Sequence, residues 1–304
     1  MNRRFFLSVA GAIIACLPAQ AQQQGRRYRV GVLMGNRDPE VLRLGTVLVG
    51  ELGRLGFVEG RNLEVRFSYA PGDLTARARD LIAFQPDVII AGGTLPTRVL
   101  QSLTPTIPIV FLAADPVAGR LVKNLARPGG HTTGVSTLIC ELVPKLMELL
   151  RELGARRVVL VTTPLDGHPC KAAIEALRSE VKAIVPVKDD QALTIQAVLR
   201  ENPDAILDQG LPPEVAVTLA SSHRIPIASV GKGPGVLVSI ERDRDQVVLR
   251  HAALVAKILN GANPGELPVE FPREFRIVVD LHLAKEIGIR VPDSILLRAD
   301  RVIE

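Results

Sequence analysis

Short apolar runs alternate with amphipathic segments along nearly the whole chain, and this alternation limits the folds open to it. Runs at 29–34 (RVGVLM), 63–69, 87–91 (DVIIA), 107–114 and 132–137 read as strands. Segments at 42–55 and 74–84 carry apolar residues at helical spacing. After a helix at 141–153 the pattern resumes, with strands at 157–162, 183–187, 205–208, 225–230 and 236–240 and helices at 171–181, 193–201 and 213–223. A strand-helix repeat of roughly 20 to 25 residues predicts parallel sheets joined by right-handed crossovers. The segment between 114 and 132 is read as a short helix joining two neighbouring strands. With 304 residues and no linker rich in Pro, Gly or Ser between the halves, two α/β lobes in close contact are expected. Each would be a doubly wound parallel sheet, with a ligand cleft between them.

In such sheets the loops leaving the carboxyl ends of the strands build the ligand crevice. That rule selects Gly35 and Asn36, then Gly93, Thr94 and Leu95, then Asp115 and Ser136 in the first half. In the second half it selects Thr163 with Pro164 and Gly210 with Leu211. The turn Gly92-Gly93-Thr94 has a particular chemistry, because glycines let the backbone approach a ligand and the amides opening a helix favour a carboxylate. Spacing alone leaves open whether this turn binds an anion or only connects a strand to a helix. Asp115 likewise reads as a candidate acid or base and, equally, as a turn residue before Pro116.

Composition removes several function classes. Two Tyr, eight Phe and no Trp are too few for the aromatic platforms that hold sugars or single-stranded nucleic acid. The net charge of +5 falls to about +3 without Arg3 and Arg4, and no basic block remains to suggest nucleic acid. Catalytic signatures also fail. Gly231-Lys232 lacks the Ser or Thr of a phosphate loop, and Gly134-Val135-Ser136-Thr137-Leu138 lacks the second Gly of a nucleophile elbow. The histidines at 131, 168, 223, 251 and 282 contain no pair at helical ligand spacing, and Asp166-x-His168-x-Cys170 reads as a surface loop. No cofactor, metal or catalytic residue is expected.

Residues 1–21 read as an address, with Arg3-Arg4, an apolar run at 5–17 and Ala19-Gln20-Ala21 as the processing site of a cleaved signal peptide. The apolar run is short for a permanent membrane span. Arg3-Arg4-Phe5-Phe6-Leu7 also fits a twin-arginine export signal, and Ile13-Ile14-Ala15-Cys16 a lipoprotein box. Cleavage after Ala21 is the reading adopted, which makes the mature protein periplasmic. The remaining cysteines, Cys140 and Cys170, have no framework spacing and are expected to be independent buried thiols.

One family shares these landmarks. Asp115-Pro116-Val117, Gly119, Leu121-Val122, Leu125-Ala126-Arg127-Pro128-Gly129-Gly130, Thr133-Gly134-Val135-Ser136 and Glu141-Leu142 closely resemble the exported substrate-binding proteins of ABC transporters, in the branch associated with tryptophan and tyrosine uptake. Phe57-Val58-Glu59-Gly60-Arg61-Asn62 and the ending Leu296-Leu297-Arg298-Ala299-Asp300-Arg301-Val302-Ile303-Glu304 follow the same pattern. Between residues 165 and 245 the likeness is weaker, and Gly235-Val236-Leu237-Val238-Ser239-Ile240 lacks a Tyr that relatives carry. The resemblance implies a type I periplasmic binding protein that captures a small solute by hinge closure. Its implied partners are the solute, an amino acid or other small carboxylate, and a membrane permease. It implies a monomer, and it favours the carboxylate reading of the Gly92-Gly93-Thr94 turn. It also implies that the helix at 246–260 returns to the first lobe. The expected lobes are therefore 28–138 plus 243–262 and 139–242 plus 263–304, with a third passage between them near 262–270. A sensory binding protein would share this sequence pattern, and an exported enzyme on the same sheets would need a nucleophile and base not found here.

Overall fold

The computed structural model describes residues 25–35, 39–69, 72–165, 168–231 and 233–304. Residues 1–21, read as a signal peptide, and Cys16 within them lie outside the described residues, as do Asn36 and Asp166.

The first sheet contains β1 (Tyr28–Met34), β2 (Leu63–Tyr69), β3 (Val88–Gly92), β4 (Ile109–Ala113) and β5 (Thr132–Ser136) in the order β2-β1-β3-β4-β5, with every neighbouring pair parallel. Helices on both faces of a parallel sheet leave its central strands no solvent side, so β1 and β3 are apolar almost throughout. On one face α1 (Pro39–Arg54) packs with α8 (Arg244–Leu259) over Val30, Val32, Val88 and Ile90. On the other, α2 (Leu74–Ala83) and α3 (Thr94–Leu103) cover Leu33, Ile89 and Ile109. The carboxylate of Asp73 accepts from the amides of Thr75 and Ala76 and so starts α2.

The connection from β4 to β5 is not the helix expected from its amphipathic pattern. Residues 116–131 are turns, bends and irregular chain. Leu121 and Val122 still bury themselves against Phe111, which explains the apolar spacing. Asp115 holds the first turn, Arg120 adopts φ 55°, and Pro128-Gly129-Gly130 leaves too little chain for a stable helix.

The second sheet has seven strands in the order β12-β11-β10-β9-β8-β6-β7. They are β6 (Val158–Thr162), β7 (Ala183–Pro186), β8 (Ala205–Gln209), β9 (Ile227–Val230), β10 (Val238–Arg242), β11 (Phe275–Asp280) and β12 (Arg301–Ile303). Neighbours are parallel except β10 and β11, so β11 and β12 run against the rest. Its helices are α4 (Ile139–Glu152), α5 (Lys171–Ala176), α6 (Gln191–Arg200), α7 (Pro213–Val217), α9 (Leu281–Ile287) and α10 (Asp293–Leu296). Their buried side chains and those of the strands form a single continuous core. Cys140, in the first turn of α4, is bonded to Cys170, just before α5. The expectation of two independent thiols is thus corrected, since the sheet brings together residues 30 apart in sequence.

The chain passes between the sheets at 137–138, at 242–244 and at 271–274. Leu138, with φ 55°, turns the first passage into α4. The third comes later than expected. Residues 263–270, read from sequence with the second lobe, stay on the first sheet and extend it beyond β5: Glu270 pairs with Val135, its amide donates to the Gly134 carbonyl, and Thr133 donates to the Leu267 carbonyl.

Candidate functional site

Register fixes which loops meet. In the first sheet Met34 lies beside Gly92, Gly92 beside Leu112, and Ala113 beside Ser136, so Gly35, Gly93 and Asp115 leave one common edge. In the second, Thr162 lies beside Gln209 and Asp208 beside Ser229, which puts Thr163 and Gly210 side by side.

Within the first lobe Gly93 and Thr94 pack against the turn after Asp115. Gly93 has φ 132°, a conformation that needs glycine, and it precedes α3, which has no side-chain cap. The hydroxyl of Thr97 donates to the Gly93 carbonyl at 2.7 Å. A Cβ on Gly119 would come within 3.2 Å of the Thr94 methyl, and Arg98 Nε donates to the Gly119 carbonyl at 3.0 Å. Asp115 is committed to shaping this turn, its Oδ1 accepting from the amides of Val117 at 3.1 Å and Ala118 at 2.9 Å. Ser136 is buried and donates to the Ala114 carbonyl at 3.1 Å. Leu95 points to solvent, 64% exposed. Gly35 is also exposed.

On the second lobe Thr163 and Pro164 are exposed, and Gly210 sits so close to Thr163 that a Cβ there would lie 3.0 Å from its methyl. Asp208, which sequence reasoning missed, organises this edge. Its Oδ1 accepts from the amides of Gly210 and Leu211, both at 2.7 Å. Burial pushes its pKa above the ordinary carboxylate value, against these bonds and one from the Ser229 hydroxyl.

Two cavities occupy the space between the lobes. One of about 370 Å³ is lined by Ala114 and Ile139 and by His168, Asp208, Gly210 and Ser229. The other, about 630 Å³, is polar and lies among Glu40, Arg43, Glu241, Arg242 and Arg276. They share Ile139 and Val230 and so form one cleft. Of the sequence-selected residues Gly210 lines it directly. Thr94, Asp115, Ser136 and Thr163 stand on the strand edges that border it. Arg242 escaped notice because β10 was read as ending at Ile240, two residues early. Asp208 could have been found by the same strand-end rule that found Gly210.

A third cavity, about 310 Å³, opens inside the first lobe between its sheet and the pair α1 and α8. Val32, Ile90, Leu112, Phe67 and Val247 form its walls, and Arg242 and Arg244 join it to the polar part of the cleft. Gly45 lets α1 approach the Phe67 ring, since a Cβ there would be 3.1 Å from it. His251 lies buried at its side, with Nδ1 2.9 Å from the Val247 carbonyl and Nε2 3.0 Å from that of Phe111. Burial holds its pKa below the ordinary value despite these bonds.

Residues 48–303 match the family described as ABC transporter substrate binding protein. A tyrosine-binding protein of Clostridioides difficile is 23% identical over 279 residues, covering 84% of this chain and 79% of its own length. Among solved structures, a conserved domain protein from Vibrio cholerae is 26% identical, with a TM-score of 0.78 over 91% of this chain and all of its own. An ABC domain from Streptococcus pneumonia in complex with L-Trp has a TM-score of 0.80 at 23% identity, again covering 91% of this chain and all of that one. These likenesses share the two-lobed α/β architecture. The family match spans most of the chain, and the protein belongs to the substrate-binding proteins of ABC transporters.

Proposed function

We propose that the solute of this substrate-binding protein is a small carboxylate, an amino acid or a related organic acid, held between the loops at Gly35, Thr94 and Asp115 and those at Thr163 and Gly210. The observation that carries this reading is the start of α3. The amides of Thr94 and Leu95 open this helix without a side-chain cap, they follow Gly93 at φ 132°, and they stand at the cleft edge of the sheet. An anion there gains charge-assisted bonds without a basic side chain. The names of two relatives, a tyrosine-binding protein and a structure with L-Trp, agree with an amino acid. Three short passages let the lobes close by hinging, and closure is driven only as far as the solute prefers the closed form. The closed protein then offers its solute, chemically unchanged, to a membrane permease. Cleavage after Ala21 and release as a periplasmic monomer complete this reading.

A thermal-shift screen tests it. L-Tyr, L-Trp, other amino acids and organic acids are compared with amines of the same body that lack the carboxylate. A ligand at 100 times its dissociation constant stabilises by about 2.7 kcal/mol. At least one acid should reach that range and its decarboxylated analogue should not. Equal stabilisation by the amine, or none by any acid, contradicts the proposal.

A further inference from the structure

The cavity inside the first lobe combines features that a packing gap does not need. Its walls are apolar, and at about 310 Å³ it is the size of a small-ligand pocket. Its charged lining residues are Arg242 and Arg244, with no Asp or Glu among the described residues that line it. Arg242 is the unusual one. Its Nε is buried without a hydrogen-bond partner. Burial, helped by repulsion from Arg244, pulls its pKa down to about 10, and no carboxylate among the described residues offsets either effect. The acidic groups of the adjoining polar cavity are otherwise engaged: Arg43 bridges Glu40 and Asp245 across the starts of α1 and α8, Asp243 accepts from the amides that open α8, and Glu241 accepts from the Ser239 hydroxyl. A largely desolvated guanidinium whose Nε has no partner is costly, and a ligand that supplies an anion relieves part of that cost.

We propose that this cavity is a second ligand site, for an apolar monocarboxylate whose hydrocarbon body lies among Val32, Phe67, Ile90, Leu112 and Val247 and whose carboxylate pairs with Arg242. A zwitterionic amino acid is disfavoured, because no acidic side chain among the described residues lines the cavity to receive its ammonium group. The site is distinct from the loops of the cleft, since it lies on the α1 and α8 face of the sheet while α3 covers the other. Arg242 ends β10 of the second sheet and the walls belong to the first, so a bound acid would tie the two lobes at the second passage.

Calorimetric titration of the mature protein with 3-phenylpropanoate and with 3-phenylpropanol, the same body without charge, tests the site. The acid should bind the wild type at least 10-fold more tightly than the alcohol, as expected for a desolvated guanidinium-carboxylate pair. Arg242→Gln should remove that preference while leaving the melting temperature unchanged or higher, because it deletes an unpaired buried charge. Thr94→Val, which alters the cleft, should bind the acid as the wild type does. No saturable binding, equal affinity for acid and alcohol, full acid affinity in Arg242→Gln, or a 10-fold loss in Thr94→Val would each overturn the proposal. The wild-type pair of titrations stands even if Arg242→Gln fails to fold. Failure here leaves the cleft reading intact, since that depends on the screen of acids against their amines.

Discussion

The two lobes bury their sheets in different ways. In the second, α4, the strands and the flanking helices share one continuous core, stapled by Cys140 and Cys170. In the first, the sheet divides the buried side chains into separate clusters on its two faces, and one of them encloses a cavity. Interiors packed at crystal density resist change, whereas a lobe with unfilled space can adjust around something placed in it. From this contrast the second lobe is expected to be the stiffer half and the first the more adaptable.

The largest expected effect lies in the staple. Closing a loop of 30 residues should contribute roughly 3–4 kcal/mol by restricting the unfolded chain. Chemical denaturation with and without reductant, and of Cys140→Ala with Cys170→Ala, should show a loss of that order, with hydrogen exchange rising in α4 and β6 before the first sheet. Uniform exchange throughout both lobes would erase the distinction between them.

A smaller effect compares one added methylene in each lobe. Val159 is fully buried in β6, and Val159→Leu should cost about 1–3 kcal/mol through overpacking. Val248 lines the first-lobe cavity, and Val248→Leu should instead stabilise by about 0.5–2 kcal/mol by filling it. Equal penalties in urea melts would mean that the first lobe is as tightly packed as the second.

The smallest effect is one of pH. His251 in the first lobe has a folded pKa below its unfolded value near 6.5, so its contribution is complete above 6.5 and is lost as pH falls through the folded value. Asp208 in the second lobe has a folded pKa above the ordinary 3.8, so its contribution is complete below 3.8 and is lost as pH rises through the folded value. Acid should therefore weaken the first lobe and neutral pH the second. Stability against pH for His251→Asn and Asp208→Asn checks this, since each variant should flatten its own limb of the curve. Asn at 208 retains an oxygen for the Gly210 and Leu211 amides.

What could be read from the residues follows the same physics. Strands buried on both faces must be apolar along their whole length, so β3 and β6 stood out as unbroken runs. Direction leaves no such mark, and the reversal at β11 was invisible. The apolar spacing of Leu121 and Val122 reports burial against Phe111, and burial alone does not make a helix. Gly210 was legible as a cleft residue because it directly follows the end of β8. Arg242 was not, because its character comes from the burial of one nitrogen and the lack of a partner, both consequences of tertiary structure. The bond between Cys140 and Cys170 was hidden for the same reason.

The proposal that the solute's carboxylate rests on the start of α3 is tested most directly by the affinity of Thr94→Val for whichever acid the screen identifies. The substitution keeps the shape of the side chain and removes its hydroxyl, at a cost of about 1–3 kcal/mol to a buried acceptor. Calorimetry should show binding weakened about 5- to 150-fold with the melting temperature of the free protein unchanged. Full affinity with reduced stability would show that the Gly92-Gly93-Thr94 turn only shapes the chain.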